Sequence, residues 1–140
     1  MKVVFDTSVI VSSARSRNGA SNRLLQMANA RSIQMLAAPA LFLEYEEVLR
    51  REEHRAVHGM SEEGLSAFLI GLAAIIEPVR VYYQWRPQMQ DADDEMVLET
   101  AINGRADAIV THNVRDFIRA ASRFNLRVVS PGSLLKEVMK

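Results

Sequence analysis

The stretch KVVFDTSVIV, residues 2–11, decides how the chain is read. Its first four residues make an apolar run that suits a short, buried strand. At Asp6 the run ends on a carboxylate, with Thr7 and Ser8 directly after it. A carboxylate in that place can cap the next helix, ligate a metal ion or attack a phosphate. The rest of the chain has to choose between these roles.

Further strand-like runs lie at IQMLAA (33–38), PVRVYY (78–83), DAIVT (107–111) and LRVVS (126–130). Helical patterns separate them. Within 40–52, Leu41, Phe42, Tyr45, Val48 and Leu49 share one helix face. SEEGLSAFLIGLAAII (61–76) opens on Ser61, an N-cap residue. DDEMVLETAING (93–104) closes at Asn103-Gly104, a C-cap pair, and SPGSLLKEVMK (130–140) carries Pro131 in its first turn. Helical periodicity also marks 20–30. Strands alternating with helices predict an α/β sandwich around a mostly parallel sheet. In such sheets ligands bind beyond the carboxyl ends of the strands, where Asp6 and the group Thr111, His112, Asn113 and Asp116 are placed.

With 140 residues, no repeat and no linker, one domain over 1–140 is expected. The chain has no cysteine, which excludes a disulfide framework and a thiolate zinc site and fits a cytoplasmic location. Asp6 interrupts the first apolar run too early for a signal-peptide core, and no run reaches the ~20 apolar residues of a membrane span. Seventeen basic and seventeen acidic residues cancel, but they are unevenly spread. Thr7 to Leu43 holds no acid, yet contains Arg15, Arg17, Arg23 and Arg31. Arg105, Arg115, Arg119, Arg123 and Arg127 enrich the last third, while acids gather at 44–63 and 91–99. Such a division suits a phosphate polymer meeting metal-binding carboxylates, and equally a mixed, soluble surface.

Three acidic groups join Asp6. In LEYEEVLRREE (43–53), Glu44 borders the apolar face beside Val48 and has no basic residue one turn on. Glu46 and Glu47 are spaced to pair with Arg50 and Arg51. In DADDEMVLE (91–99), Asp91, Asp93, Asp94 and Glu95 exceed what capping a helix requires, and crowded carboxylates repel unless protonated or neutralised by a cation. VTHNVRDF (110–117) adds Thr111, Asn113 and Asp116. These are hard oxygen donors, suited to Mg²⁺ or Mn²⁺ rather than zinc. His54 and His58 have the spacing of a helical metal pair, but Arg55 stands where a zincin has glutamate. The aromatic run Val81-Tyr82-Tyr83-Gln84-Trp85 reads as packing at a strand end, with base stacking as the functional alternative.

The four motifs, in this order and over nearly the whole chain, resemble a PIN-domain protein, in particular the VapC-like toxins of toxin–antitoxin pairs. The resemblance implies a PIN-like three-layer α/β/α sandwich with a five-stranded sheet of order 3-2-1-4-5. It also implies a metal-dependent endoribonuclease with Mg²⁺ or Mn²⁺ as cofactor. By motif the family's acidic positions fall on Asp6, Glu44 and Asp94, with Asn113 or, preferred here, Asp116 as the fourth. Ser8 stands where many members carry asparagine. Thr7, Ser8, Thr111, Asn113, Arg15 and Arg115 would position substrate phosphates and water. An RNA substrate, an antitoxin partner and a homodimer are implied, and no membrane. An aspartyl phosphotransferase would need a second Asp at position 8. A catalytically silent domain that binds RNA or protein is the remaining alternative.

Overall fold

The computed structural model describes residues 1–84 and 88–139. In chain order the elements are β1 (Lys2–Phe5), α1 (Thr7–Arg15), α2 (Ala20–Asn29), β2 (Gln34–Ala37), α3 (Pro39–Arg50), α4 (Glu52–His58) and α5 (Glu62–Ile75). There follow β3 (Ile76–Pro78), α6 (Ala92–Asn103), β4 (Ala108–Val110), α7 (Val114–Ser122), β5 (Arg127–Val129) and α8 (Pro131–Val138). The five strands form one parallel sheet in the order β3-β2-β1-β4-β5, as the family resemblance implied.

β1 lies at the centre, and Val3, Val4 and Phe5 are fully buried because helices cover both faces of the sheet. Its register pairs Val4 with Leu36 on one side and with Ile109 on the other. α6 packs against β1, β2 and β4, while α1 packs on α2 and α3. Tyr45, Phe117, Ile10, Leu24 and Leu41 complete the largest buried side chains around Phe5. The chain leaves β1 toward β2 and β3, then returns to the other side for β4 and β5. The direction of winding therefore reverses between β1 and β4, which makes their carboxyl ends the switch point of the sheet.

The apolar stripe expected over 40–52 is present, with Leu41, Tyr45, Val48 and Leu49 buried and Pro39 in the first turn. It ends at Arg51, whose backbone is extended, and α4 beyond it buries no residue. Ser61 caps α5, its Oγ accepting from the Gly64 N–H at 3.0 Å. Ser130 likewise caps α8, with Pro131 just inside it.

The expected strand at 78–83 lies earlier. Ile76, Glu77 and Pro78 pair with Met35, Leu36 and Ala37, so the apolar end of α5 runs directly into the edge strand. Past Val79, the backbone N–H groups of Tyr82 and Tyr83 turn instead to the Asn103 side chain, at 2.9 and 3.0 Å. A single amide thereby replaces a ladder. Gly104 follows α6 with a right-handed backbone, φ −85°, so it is no left-handed cap. A Cβ there would lie 2.9 Å from side-chain atoms of Leu36 and Val79 and 3.0 Å from the Thr100 carbonyl, so close approach is what excludes a side chain.

Candidate active site

Asp6 occupies the N-cap position of α1, yet its side chain makes no capping bond, which removes the simplest explanation of this carboxylate. Its Oδ2 instead accepts from Thr111 Oγ1 at 2.7 Å and from Ser8 Oγ at 2.8 Å. Thr111 directly follows β4 and Ser8 lies in the first turn of α1, so groups on both sides of the switch point hold the carboxylate. Thr111 is fully buried and also accepts from the Asn113 N–H at 2.9 Å, and Ser8 accepts from the His112 N–H at 3.3 Å. Beneath them the Tyr45 hydroxyl donates to the Phe5 carbonyl. Burial, and secondarily the Asp6 charge, push the ionisation of that phenol well up.

The acids of 91–95 divide their roles. Asp91 caps α6, accepting from the Asp93 N–H at 2.8 Å. Glu95 is buried and accepts from the backbone N–H groups of Gln88 and Met89, at 2.5 and 2.8 Å. It anchors the loop before α6 and takes no place among candidate ligands. Asp94 is half-buried, and its carboxyl is pushed up to about 7. Burial is the leading cause, followed by the charges of Asp6, Asp91, Asp116 and Asp93. Glu44, only 8% exposed, is also shifted up, first by burial and then by Asp93 and Glu47, with Arg51 opposing.

Asp91, Asp94 and Asp116 line an open cleft of ≈ 700 Å³ together with Arg115, Arg119 and Arg123. A second depression of ≈ 430 Å³ is lined by Thr7, Ser8, Arg15, His54 and His112. The expected phosphate-positioning residues thus fall on two surfaces, Arg115 with Asp94 and Asp116, and Thr7, Ser8 and Arg15 around the α1 side. Asn113 is exposed at the head of α7, and its side chain makes no capping bond. Asp116 both lines the cleft and acts on Asp94.

The donor set suits a magnesium-class ion: carboxylates and hydroxyls, with a repulsion that a divalent cation would relieve. Among the described residues no three such side chains are drawn together tightly enough to enclose an ion by themselves. Asp6, Asp94 and Asp116 share a field rather than a closed cage.

Other expected features resolve differently. Both ring nitrogens of His58 are engaged, one with the Leu49 carbonyl and the other with the Met60 N–H, each at 3.0 Å, so the His54–His58 pair makes no metal site. Glu46 and Glu47 reach Arg50 and Arg51, at 3.4 and 3.6 Å, as their spacing suggested. Tyr82 and Tyr83 are exposed rather than packed at a strand end, because Asn103 holds their backbone outside the sheet. Trp85 lies outside the described residues. Sequence reasoning had no signal for Glu95 as a loop anchor. The four-residue spacing of Arg115, Arg119 and Arg123 was visible, but not the cleft they share.

Comparison with known proteins agrees with this architecture. The model of the PIN domain matches residues 2–115. No curated protein matches the chain. Among solved structures, VapBC2 from Rickettsia felis bound to a DNA fragment from their promoter is similar at a TM-score of 0.63 and 14% identity, over 93% of this chain and 98% of that one. FitAB bound to an IR36 DNA fragment is similar at 0.59 and 16% identity, over 92% and 94% of the two chains. At such identities the likeness is one of fold.

Proposed function

The chain belongs to the PIN-domain family, and from that premise we propose that it is a metal-dependent endoribonuclease acting as the toxin of a toxin–antitoxin pair. One observation carries the reading. Asp94, half-buried in the first turn of α6, lines one cleft with Asp91 and Asp116, and its carboxyl is pushed up by burial and by the charges of Asp6, Asp91, Asp116 and Asp93. A structural role explains Asp91 and Glu95, but not the crowding at Asp94.

Asp6, Glu44, Asp94 and Asp116 are the residues that would hold the ion, with Asn113 as the alternative to Asp116. When bound, a magnesium-class ion supplies an acidified water and neutralises charge at the scissile phosphate. The chain's own part is orientation. Thr111 and Ser8 fix one oxygen of Asp6, so the carboxylate needs no rearrangement to act. Glu95 holds the 88–89 backbone as the far wall of the cleft. Arg115 and Arg15 offer phosphate contacts from the two sides, and Thr7 and Asn113 offer further hydrogen bonds at the mouth.

The toxin role draws on VapBC2 and FitAB, both solved on DNA. It implies an antitoxin partner, a homodimer and action in the cytoplasm. The spacing of the carboxylates favours one variant of this reading, in which RNA completes the ion's ligand shell.

Calorimetric titration with Mn²⁺, on wild type and Asp94→Asn, with and without a non-cleavable RNA, tests it alongside cleavage assays. Saturable Mn²⁺ binding weakened by the substitution, with RNA cleavage lost, is the expected result. Cleavage at the wild-type rate by Asp94→Asn overturns the assignment.

A further inference from the structure

The two walls of the cleft differ in a way that the metal reading does not use. Arg115 and Arg119 are one helical turn apart on α7, and Arg123, its C-cap residue, follows at the same interval. All three are exposed, and all three line the cleft that contains Asp94 and Asp116. Among the described residues no carboxylate pairs with any of them, whereas Arg50, Arg51, Arg55 and Arg127 each meet a glutamate. Arg123 Nη1 donates to Gln88 Oε1 at 2.8 Å, reaching the loop that Glu95 anchors.

We propose that this face of α7 is a track for consecutive phosphates of single-stranded RNA, with Arg115 nearest the scissile bond, Arg119 next and Arg123 last. The proposal rests on the nuclease reading and adds the path of the strand to it. Each step of four residues advances about 6 Å along the helix, close to the separation of successive phosphates in an extended strand. Guanidinium groups bind phosphate oxygens in pairs and are more weakly hydrated than the lysine ammonium. Asp116, on the first turn of α7, sets the direction, since it acts on Asp94 while Arg123 lies two turns away. A recess of ≈ 700 Å³ is sized for a short length of one strand rather than a duplex.

The experiment is fluorescence anisotropy with a short labelled oligouridylate, in a chelator that removes divalent ions, over a range of salt concentrations. Wild type is compared with Arg119→Gln/Arg123→Gln, with the corresponding lysine pair and with Arg55→Gln, each checked for folding by circular dichroism. The track predicts that the slope of log K against log salt falls by about 1.4 for the double glutamine variant, about 0.7 for each lost contact. The lysine pair restores the slope, and Arg55→Gln leaves it unchanged. An unchanged slope in a double variant whose wild type binds the oligonucleotide overturns the track and leaves the nuclease reading standing. A wild type that binds neither the oligonucleotide nor, in the calorimeter, Mn²⁺ removes both.

Discussion

The α3–α5 surface and the cleft beside α7 contain the same residue types in opposite arrangements. On the first, Arg50 lies between Glu46 and Glu62, Arg51 meets Glu47 at 3.6 Å, and Arg55 meets Glu62 at 3.3 Å. Each of these three arginines has a carboxylate neighbour, and water screens what is left. In the cleft, Asp94 is surrounded by other aspartates, and the arginines of α7 stand along the same wall without a carboxylate partner among the described residues. Like charges held together in a half-buried place leave the free protein with a strain that a ligand of opposite charge relieves. The comparison teaches that charge composition alone, balanced over this chain, says little, while the way the charges are paired separates these two surfaces.

Asp94→Asn breaks the comparison most severely. Altering a partner of a metal ligand costs 10–100-fold, so with Asp94 in the proposed ligand role its loss is expected to cost more than roughly 100-fold in Mn²⁺ affinity and in RNA cleavage. The same substitution should raise the stability of the metal-free protein at pH 8, by about 1 kcal/mol once solvent screening is discounted. Loss of function with gain of stability, measured by cleavage assay and chemical denaturation, is the signature of a repelling carboxylate kept for a ligand.

The pH dependence follows with its sign. The Asp94 carboxyl titrates at about 7 in the fold against 3.8 for the free group. The folded state therefore retains a proton that the unfolded chain has lost between those values. Its contribution to stability is complete below about pH 4 and disappears as pH rises through about 7. Melting of the chelated protein should fall across that window, less so in Asp94→Asn. Mn²⁺ affinity moves the other way, rising up to about tenfold per pH unit below 7, because the ion displaces the proton.

Thr111→Val has a smaller effect by the same logic. At the fully buried Thr111 it removes the 2.7 Å bond to Asp6, and it leaves the Asn113 N–H without its side-chain acceptor. A loss of about 1–3 kcal/mol in stability and about 10-fold in Mn²⁺ affinity is expected. Equal Mn²⁺ isotherms for Thr111→Val and wild type would show that Asp6 needs no orientation from β4.

Much of the frame was legible because it depends on local pattern. β1 and its terminal Asp6, the stripe on α3, the cap Ser61 and Pro131 in the first turn of α8 all follow from residues next to one another. Strand order came from resemblance, since periodicity carries no information on which strands are neighbours. β3 was misplaced because Ile75 and Ile76 continue the apolar run of α5, and only tertiary pairing with β2 decides where helix gives way to strand. Within 91–95, charge type was visible but not its use. Only the loop position shows that Glu95 holds backbone N–H groups while Asp94 faces Asp6 and Asp116.

The smallest effect belongs to Glu62→Gln, and it sharpens the comparison from the paired side. The substitution removes two ion pairs at once, those to Arg50 and Arg55, on an exposed surface. Exposed pairs contribute little, so the melting temperature should move by no more than about two degrees, and high salt should erase even that difference. Freed of Glu62, Arg50 still has Glu46 on its own helix, while Arg55 becomes an unpartnered cation outside the lining of the cleft. RNA binding should not change. A rise in oligonucleotide affinity or in its salt slope would mean that unpaired arginines bind RNA wherever they lie, and that the placement of Arg115, Arg119 and Arg123 beside Asp94 confers nothing special. No change means that position beside the carboxylates, and not merely the absence of a partner, makes an arginine part of the site.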